Sequence, residues 1–151
     1  MAFSLGGHES YLLDKNVGEY KIEFSEEQSL SRYAFNGILS ARPIKKYAGL
    51  TEFSLPKKYL ATDKTVIFSG VKAKHVMLKT LSGTLVAKIG VSGFDNLLLW
   101  QPTKAKCICI EPWLTLPDSA NTVGMEFRGK KGVISLKTGE SKVFVRNIEY
   151  Y

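Results

Sequence analysis

Cys107-Ile108-Cys109-Ile110-Glu111-Pro112-Trp113 reads as a β-strand that carries an acid at its end. Side chains alternate along a strand, so Cys107 and Cys109 share one face and Ile108 and Ile110 the other. Apolar residues on both faces imply burial on both sides of a sheet. Pro112 has no N–H to give to a ladder, so the strand is expected to stop near Glu111. A carboxylate there sits at the rim of a core, partly desolvated. It is placed either to act as a general base or to hydrogen-bond neighbouring backbone.

The rest of the chain repeats the strand pattern. Tyr20-Lys21-Ile22-Glu23-Phe24 alternates cleanly, with Tyr20, Ile22 and Phe24 on one face. Further strands are expected at Thr65 to Ser69, Lys74 to Thr80, Thr84 to Val91 and Leu97 to Trp100, with Ser82-Gly83 turning a hairpin. Val133 to Lys137 and Val143 to Tyr150 flank Thr138-Gly139-Glu140-Ser141 and are expected to form a C-terminal hairpin. Pro43, Pro56, Pro102 and Pro117 fall between these runs. Only Lys57-Lys58-Tyr59-Leu60-Ala61 suggests a helical turn. Strands spaced at about 8–12 residues with turns between them predict an all-β antiparallel sandwich or barrel. The chain, residues 1–151, shows no repeat or low-complexity linker and reads as one domain.

Composition narrows the function classes. Hydrophobic content of 44% and charged content of 23% are those of an ordinary globular protein. No apolar run approaches the roughly 18 residues of a membrane-spanning helix. Met1-Ala2-Phe3-Ser4-Leu5 lacks the basic region and long apolar core of a signal peptide, so a cytoplasmic location is expected. Cys107 and Cys109 would close almost no loop as a disulfide, and reduced buried thiols fit a reducing compartment. His8 and His75 are the only histidines, too few for a recognisable metal motif. The net charge of +7 raises the question of nucleic acid. Yet the 21 basic residues are scattered, clustering no further than Lys45-Lys46, Lys57-Lys58 and Lys130-Lys131. A solvated basic surface is the better account.

Two segments taken together point to a family. Phe3-Ser4-Leu5-Gly6-Gly7-His8 places a histidine after a Gly-Gly pair, and Cys109-Ile110-Glu111-Pro112-Trp113 precedes Leu116-Pro117-Asp118. With Thr62-Asp63-Lys64-Thr65-Val66-Ile67-Phe68, Leu98-Leu99-Trp100, Gly132-Val133-Ile134-Ser135-Leu136 and Gly139-Glu140-Ser141, this resembles the aldose 1-epimerase (galactose mutarotase) family. The likeness runs through the whole chain and corresponds to the C-terminal half or so of a family member. Glu9 stands where the most similar branch has proline, and Tyr11 where it has phenylalanine.

The resemblance implies a large antiparallel β-sandwich that binds an aldose of the glucose or galactose class, with no cofactor. It implies Glu111 as the base on the C1 hydroxyl, His8 as the acid on the ring oxygen and Asp63 as a ligand of sugar hydroxyls. Trp113 and Trp100 could give the sugar an apolar face, at least one of them serving the core. Asp118 is expected to shape the turn after Pro117, and His75 to be structural. The arginine and the second histidine of the family's N-terminal half have no counterpart here, so self-association or association with such a half is expected. Two other readings stand beside this one: a non-catalytic carbohydrate-binding or pseudo-enzyme domain, and a hexose-6-phosphate epimerase. The last would need basic residues such as Lys57, Lys58 or Arg32 around a phosphate.

Overall fold

A β-rich chain with one long alternating segment can fold round that segment, and strand Tyr20–Tyr33 has this role. The computed structural model describes residues 10–55, 65–101 and 105–151. In chain order its strands are β1 (Ser10–Leu12), β2 (Tyr20–Tyr33), β3 (Lys45–Ser54), β4 (Thr65–Ser69) and β5 (His75–Thr80). They continue with β6 (Leu85–Gly90), β7 (Asn96–Trp100), β8 (Cys107–Trp113) and β9 (Ile148–Tyr150). All pair antiparallel in one sheet of order β1-β8-β7-β4-β2-β5-β6-β9, with β3 added on β2. Helix among the described residues is limited to two 3-10 turns, Val17–Glu19 and Phe127–Gly129. The fold is all-β and antiparallel.

β2 holds two halves of the sheet together. Its first half, Tyr20 to Phe24, pairs with β5, and its last residues, Ser31 to Tyr33, pair with β4. Between them the register against β3 shifts on either side of Gln28, the mark of a bulge that bends the strand. The bulge turns backbone groups away from a ladder, and the buried Gln28 side chain replaces the lost partners. Its Nε2 donates to the carbonyls of Glu26 and Glu27, both at 3.0 Å. Its Oε1 accepts from the backbone N–H of Lys72 at 2.8 Å and of Ala73 at 3.2 Å. The segment it grips begins at Gly70, whose φ of +91° suits glycine. A Cβ there would stand 3.2 Å from the Ser29 carbonyl. Gly70→Ala is therefore expected to cost about 1–2 kcal/mol. Urea unfolding should show this as a lower midpoint at unchanged slope, and an unshifted midpoint would refute the strain.

The bent sheet curls until its ends meet. Tyr11 of β1 and Tyr150 of β9, at opposite ends of the strand order, have ring centroids 6.0 Å apart. Inside the curl lies a continuous core that includes Tyr20, Ile22, Phe24, Phe68, Val76, Leu78, Ile89, Leu99, Ile108 and Ile110. Phe68 is at its aromatic centre, in edge-on contact with Phe53 at 5.1 Å, Tyr47 at 5.9 Å and Phe24 at 6.5 Å.

Several sequence expectations need correction. β8 runs on through Pro112 to Trp113, with Pro112 opposite Leu97. Its second neighbour, β1, reaches only from Cys107 to Cys109, so at Pro112 the strand is an edge among the described residues, and edges tolerate proline. The C-terminal hairpin is not formed. Of its two strands only Ile148–Tyr150 finds a ladder, on β6, while 133–137 and 143–147 belong to no strand. Phe144 packs on Phe94, leaving Val143 and Val145 exposed at 80% and 68%. β1 and β3 were not anticipated, and β2 is nine residues longer than its clean alternation. The turn expected at Lys57 to Ala61 lies outside the described residues. The Ser82-Gly83 hairpin is present, with Gly83 at φ +99°.

Candidate functional site

Residues directly opposite one another in an antiparallel ladder carry their side chains on the same face. The registers of β2, β4, β7 and β8 therefore define rows across the outer face of the curl. One row is Tyr33, Ile67, Leu98 and Glu111. On one side of it lies Ser31, Ser69, Asn96 and Trp113. On the other lies Thr65, Trp100, Cys109 and, through β1, Ser10. Glu111 thus sits between Cys109 and Trp113 along its strand, on a face that joins two indoles to hydroxyl and amide side chains.

Burial and hydrogen bonds make Glu111 unlike a surface carboxylate. It is 9% exposed. The Trp113 indole Nε1–H donates to its Oε2 at 3.1 Å. Beyond Trp113 the chain is held by the buried Asn96, whose Nδ2 donates to the carbonyls of Leu114 at 3.1 Å and Trp113 at 3.3 Å. Cys109, two residues before Glu111, is fully buried, with its Sγ 3.3 Å from Ser10 Oγ. Burial pushes the Cys109 thiol above its ordinary pKa, and the Glu111 charge adds to this against the opposing Ser10 hydrogen bond. Both cysteines are free, Cys109 buried as expected and Cys107 only partly so.

Part of this face is roofed by loops. Leu39 packs on Ile67 and Leu98, with Tyr33, Phe35, Trp100, Trp113 and Leu116 around them. Leu39 is tied there by its backbone N–H to the Asp118 carbonyl at 2.9 Å. The Asp118 side chain fixes the second loop. Lys130 Nζ reaches both carboxylate oxygens at 2.8 Å, and Thr122 Oγ1 donates to Oδ1 at 3.3 Å. The Lys130 ammonium holds the Asp118 carboxyl below the usual carboxylate range. Asp118 thus serves the turn, in keeping with its sequence reading.

Of the residues expected at a site, the structure brings Glu111 and Trp113 into direct contact and puts Trp100 on the same face. His8 and Asp63 lie outside the described residues, as do Lys57 and Lys58. Arg32 is buried, but its row is Phe68, Leu97 and Pro112, on the opposite face of the sheet from Glu111. That register counts against Arg32 as a phosphate ligand beside Glu111. Asn96, Ser10 and Tyr33 had escaped notice. Each is an ordinary polar strand residue, and only the pairing of β1, β8, β7, β4 and β2 brings them onto the face of the site. Among the described residues no group of three or more His, Cys, Asp or Glu side chains could hold a metal ion. Nor is any helix there long and apolar enough to cross a membrane.

No protein-family model, curated protein or solved structure matches the chain.

Proposed function

We propose that this chain is an aldose 1-epimerase-like domain in which Glu111 is the base that opens the sugar ring. The observation that supports it is the desolvated Glu111 carboxylate beside the Trp113 indole, on a face that also carries Trp100. An indole matches the apolar C–H face of a pyranose while a carboxylate beside it takes a hydroxyl proton. In this reading Glu111 removes the proton of the C1 hydroxyl as the bond from C1 to the ring oxygen breaks. His8 supplies the proton that the ring oxygen takes up. The aldehyde turns about the C1–C2 bond, and the reverse transfers close the ring on the other face. Asp63 holds sugar hydroxyls and Trp113 lies against the ring.

The test is polarimetry on freshly dissolved α-D-glucose and α-D-galactose. Approach to the anomeric equilibrium should be faster with protein than without it, and α-D-glucose 6-phosphate should gain no comparable acceleration. A preference for the phosphate would transfer the assignment to a hexose-6-phosphate epimerase.

A non-catalytic carbohydrate-binding domain is the second reading, favoured by the Leu39 roof over Ile67 and Leu98, the residues in the same row as Glu111. Sugar binding without accelerated anomerisation would establish it. Either reading accommodates association with another polypeptide. Ile134, Leu136, Val143 and Val145 are exposed and outside every ladder among the described residues, a surface that added strands or a second copy would cover.

A further inference from the structure

We infer that Trp113 is the positioning residue for the Glu111 carboxylate and that Asn96, by gripping the chain at Trp113 and Leu114, positions Trp113 in turn. Glu111 and Trp113 are two apart on β8 and so share a face, which puts the indole N–H within reach of its neighbour's carboxylate. The indole nitrogen only donates and the ionised carboxylate only accepts, so the 3.1 Å contact has one polarity. It fixes the orientation of the carboxylate relative to the indole.

This bond needs the end of β8 to be held, because Trp113 is the strand's last residue and Pro112 precedes it. A terminal residue after proline has little ladder to fix it. Asn96, directly opposite Trp113 on β7, supplies the anchor. Its amide N–H groups bond two successive carbonyls, one of Trp113 itself and one of the next residue. At 5% exposure that amide is shielded from competing water. The three residues form a chain of control: Asn96 fixes the backbone, the backbone aims the indole, and the indole orients the carboxylate. The kinetic consequence rests on Glu111 being the base, whereas the physical coupling does not.

The coupling can be read without turnover. The chain has two tryptophans, so ¹H–¹⁵N spectra carry two indole N–H resonances, which Trp100→Phe and Trp113→Phe would assign. In the unaltered protein the Trp113 resonance should lie downfield, as that of a hydrogen-bonded indole N–H does, and Glu111→Ala, which removes the acceptor, should move it upfield. ¹³C-labelled glutamate reports the carboxyl itself. Trp113→Phe, which keeps the ring and loses the donor, should displace the Glu111 carboxyl resonance. Asn96→Ala should displace it by less and broaden the Trp113 resonance. Where the protein turns over sugar, Trp113→Phe should lower kcat while leaving KM nearly unchanged.

A Trp113 resonance indifferent to Glu111→Ala, or an unmoved carboxyl resonance in Trp113→Phe, would overturn the inference. An Asn96→Ala spectrum like that of the unaltered protein would remove Asn96 from it. Should Asn96→Ala fail to fold, Glu111→Ala and Trp113→Phe still decide the role of the indole. A Trp113 resonance that responds to Glu111→Ala without anomerisation in the unaltered protein would refute the sugar chemistry alone. Anomerisation with a kcat indifferent to Trp113→Phe would refute the positioning alone.

Discussion

Glu111→Gln is expected to slow anomerisation by about 10²- to 10⁴-fold, the usual worth of one positioned proton transfer. The amide keeps the shape of the carboxylate and can still accept the Trp113 N–H through its carbonyl oxygen, so the local packing should survive. What it loses is the proton-accepting role proposed for Glu111. The comparison belongs in whichever form of the protein turns over sugar, the chain alone or the chain joined by a second polypeptide. Sugar affinity should change little, because the apolar contact proposed for Trp113 would remain. Full activity in Glu111→Gln would mean that the base lies elsewhere. Loss of activity together with loss of near-ultraviolet circular dichroism would point instead to a damaged core.

Phe68→Ala is expected to have the largest effect on stability, about 3–5 kcal/mol. Phe68 is fully buried and meets Phe24, Tyr47 and Phe53 edge-on, so its removal leaves a cavity bordered by three rings. Two strands supply those neighbours: β2 gives Phe24, while β3 gives both Tyr47 and Phe53. The cavity would loosen β3, β2 and β4 from one another at once. Phe127→Ala is the control, since Phe127 is 58% exposed and should change stability by no more than about 0.5 kcal/mol. Urea titrations of both variants provide the check. A Phe68→Ala cost below about 1 kcal/mol would show that the core collapses into the space or packs otherwise.

Local pattern located most of the strands but not their limits. β4 matches its expected span, Thr65 to Ser69, because a β-branched and aromatic run ends against Gly70. β2 was visible only to Phe24, where the alternation breaks into Ser25-Glu26-Glu27. The strand nevertheless continues, since Gln28 supplies the hydrogen bonds that the bulge leaves without a ladder. β3 could not be read at all: Lys45-Lys46-Tyr47-Ala48-Gly49-Leu50 has no period-2 pattern, and it is a strand because β2 offers it an edge. The C-terminal segments show the converse, strand-forming residues with no edge to join.

The candidate site divides in the same way. Glu111 and Trp113 announced themselves through a resemblance and through a carboxylate in an apolar strand. Asn96 did not, because nothing in Asp95-Asn96-Leu97 distinguishes a clamp from a turn residue.

By itself the sequence determined the all-β class and the buried character of Ile108 to Glu111. Each of these rests on residues close in the chain, where alternation and side-chain chemistry suffice. The tertiary structure alone decided that β8 continues through Pro112, that Arg32 and Glu111 occupy opposite faces and that Asn96 stands opposite Trp113. All three depend on strand register, and a shift of one residue would turn each of these side chains to the other face. Register is set by the summed packing of both faces and by the bulge at Gln28, which no local stretch of residues contains.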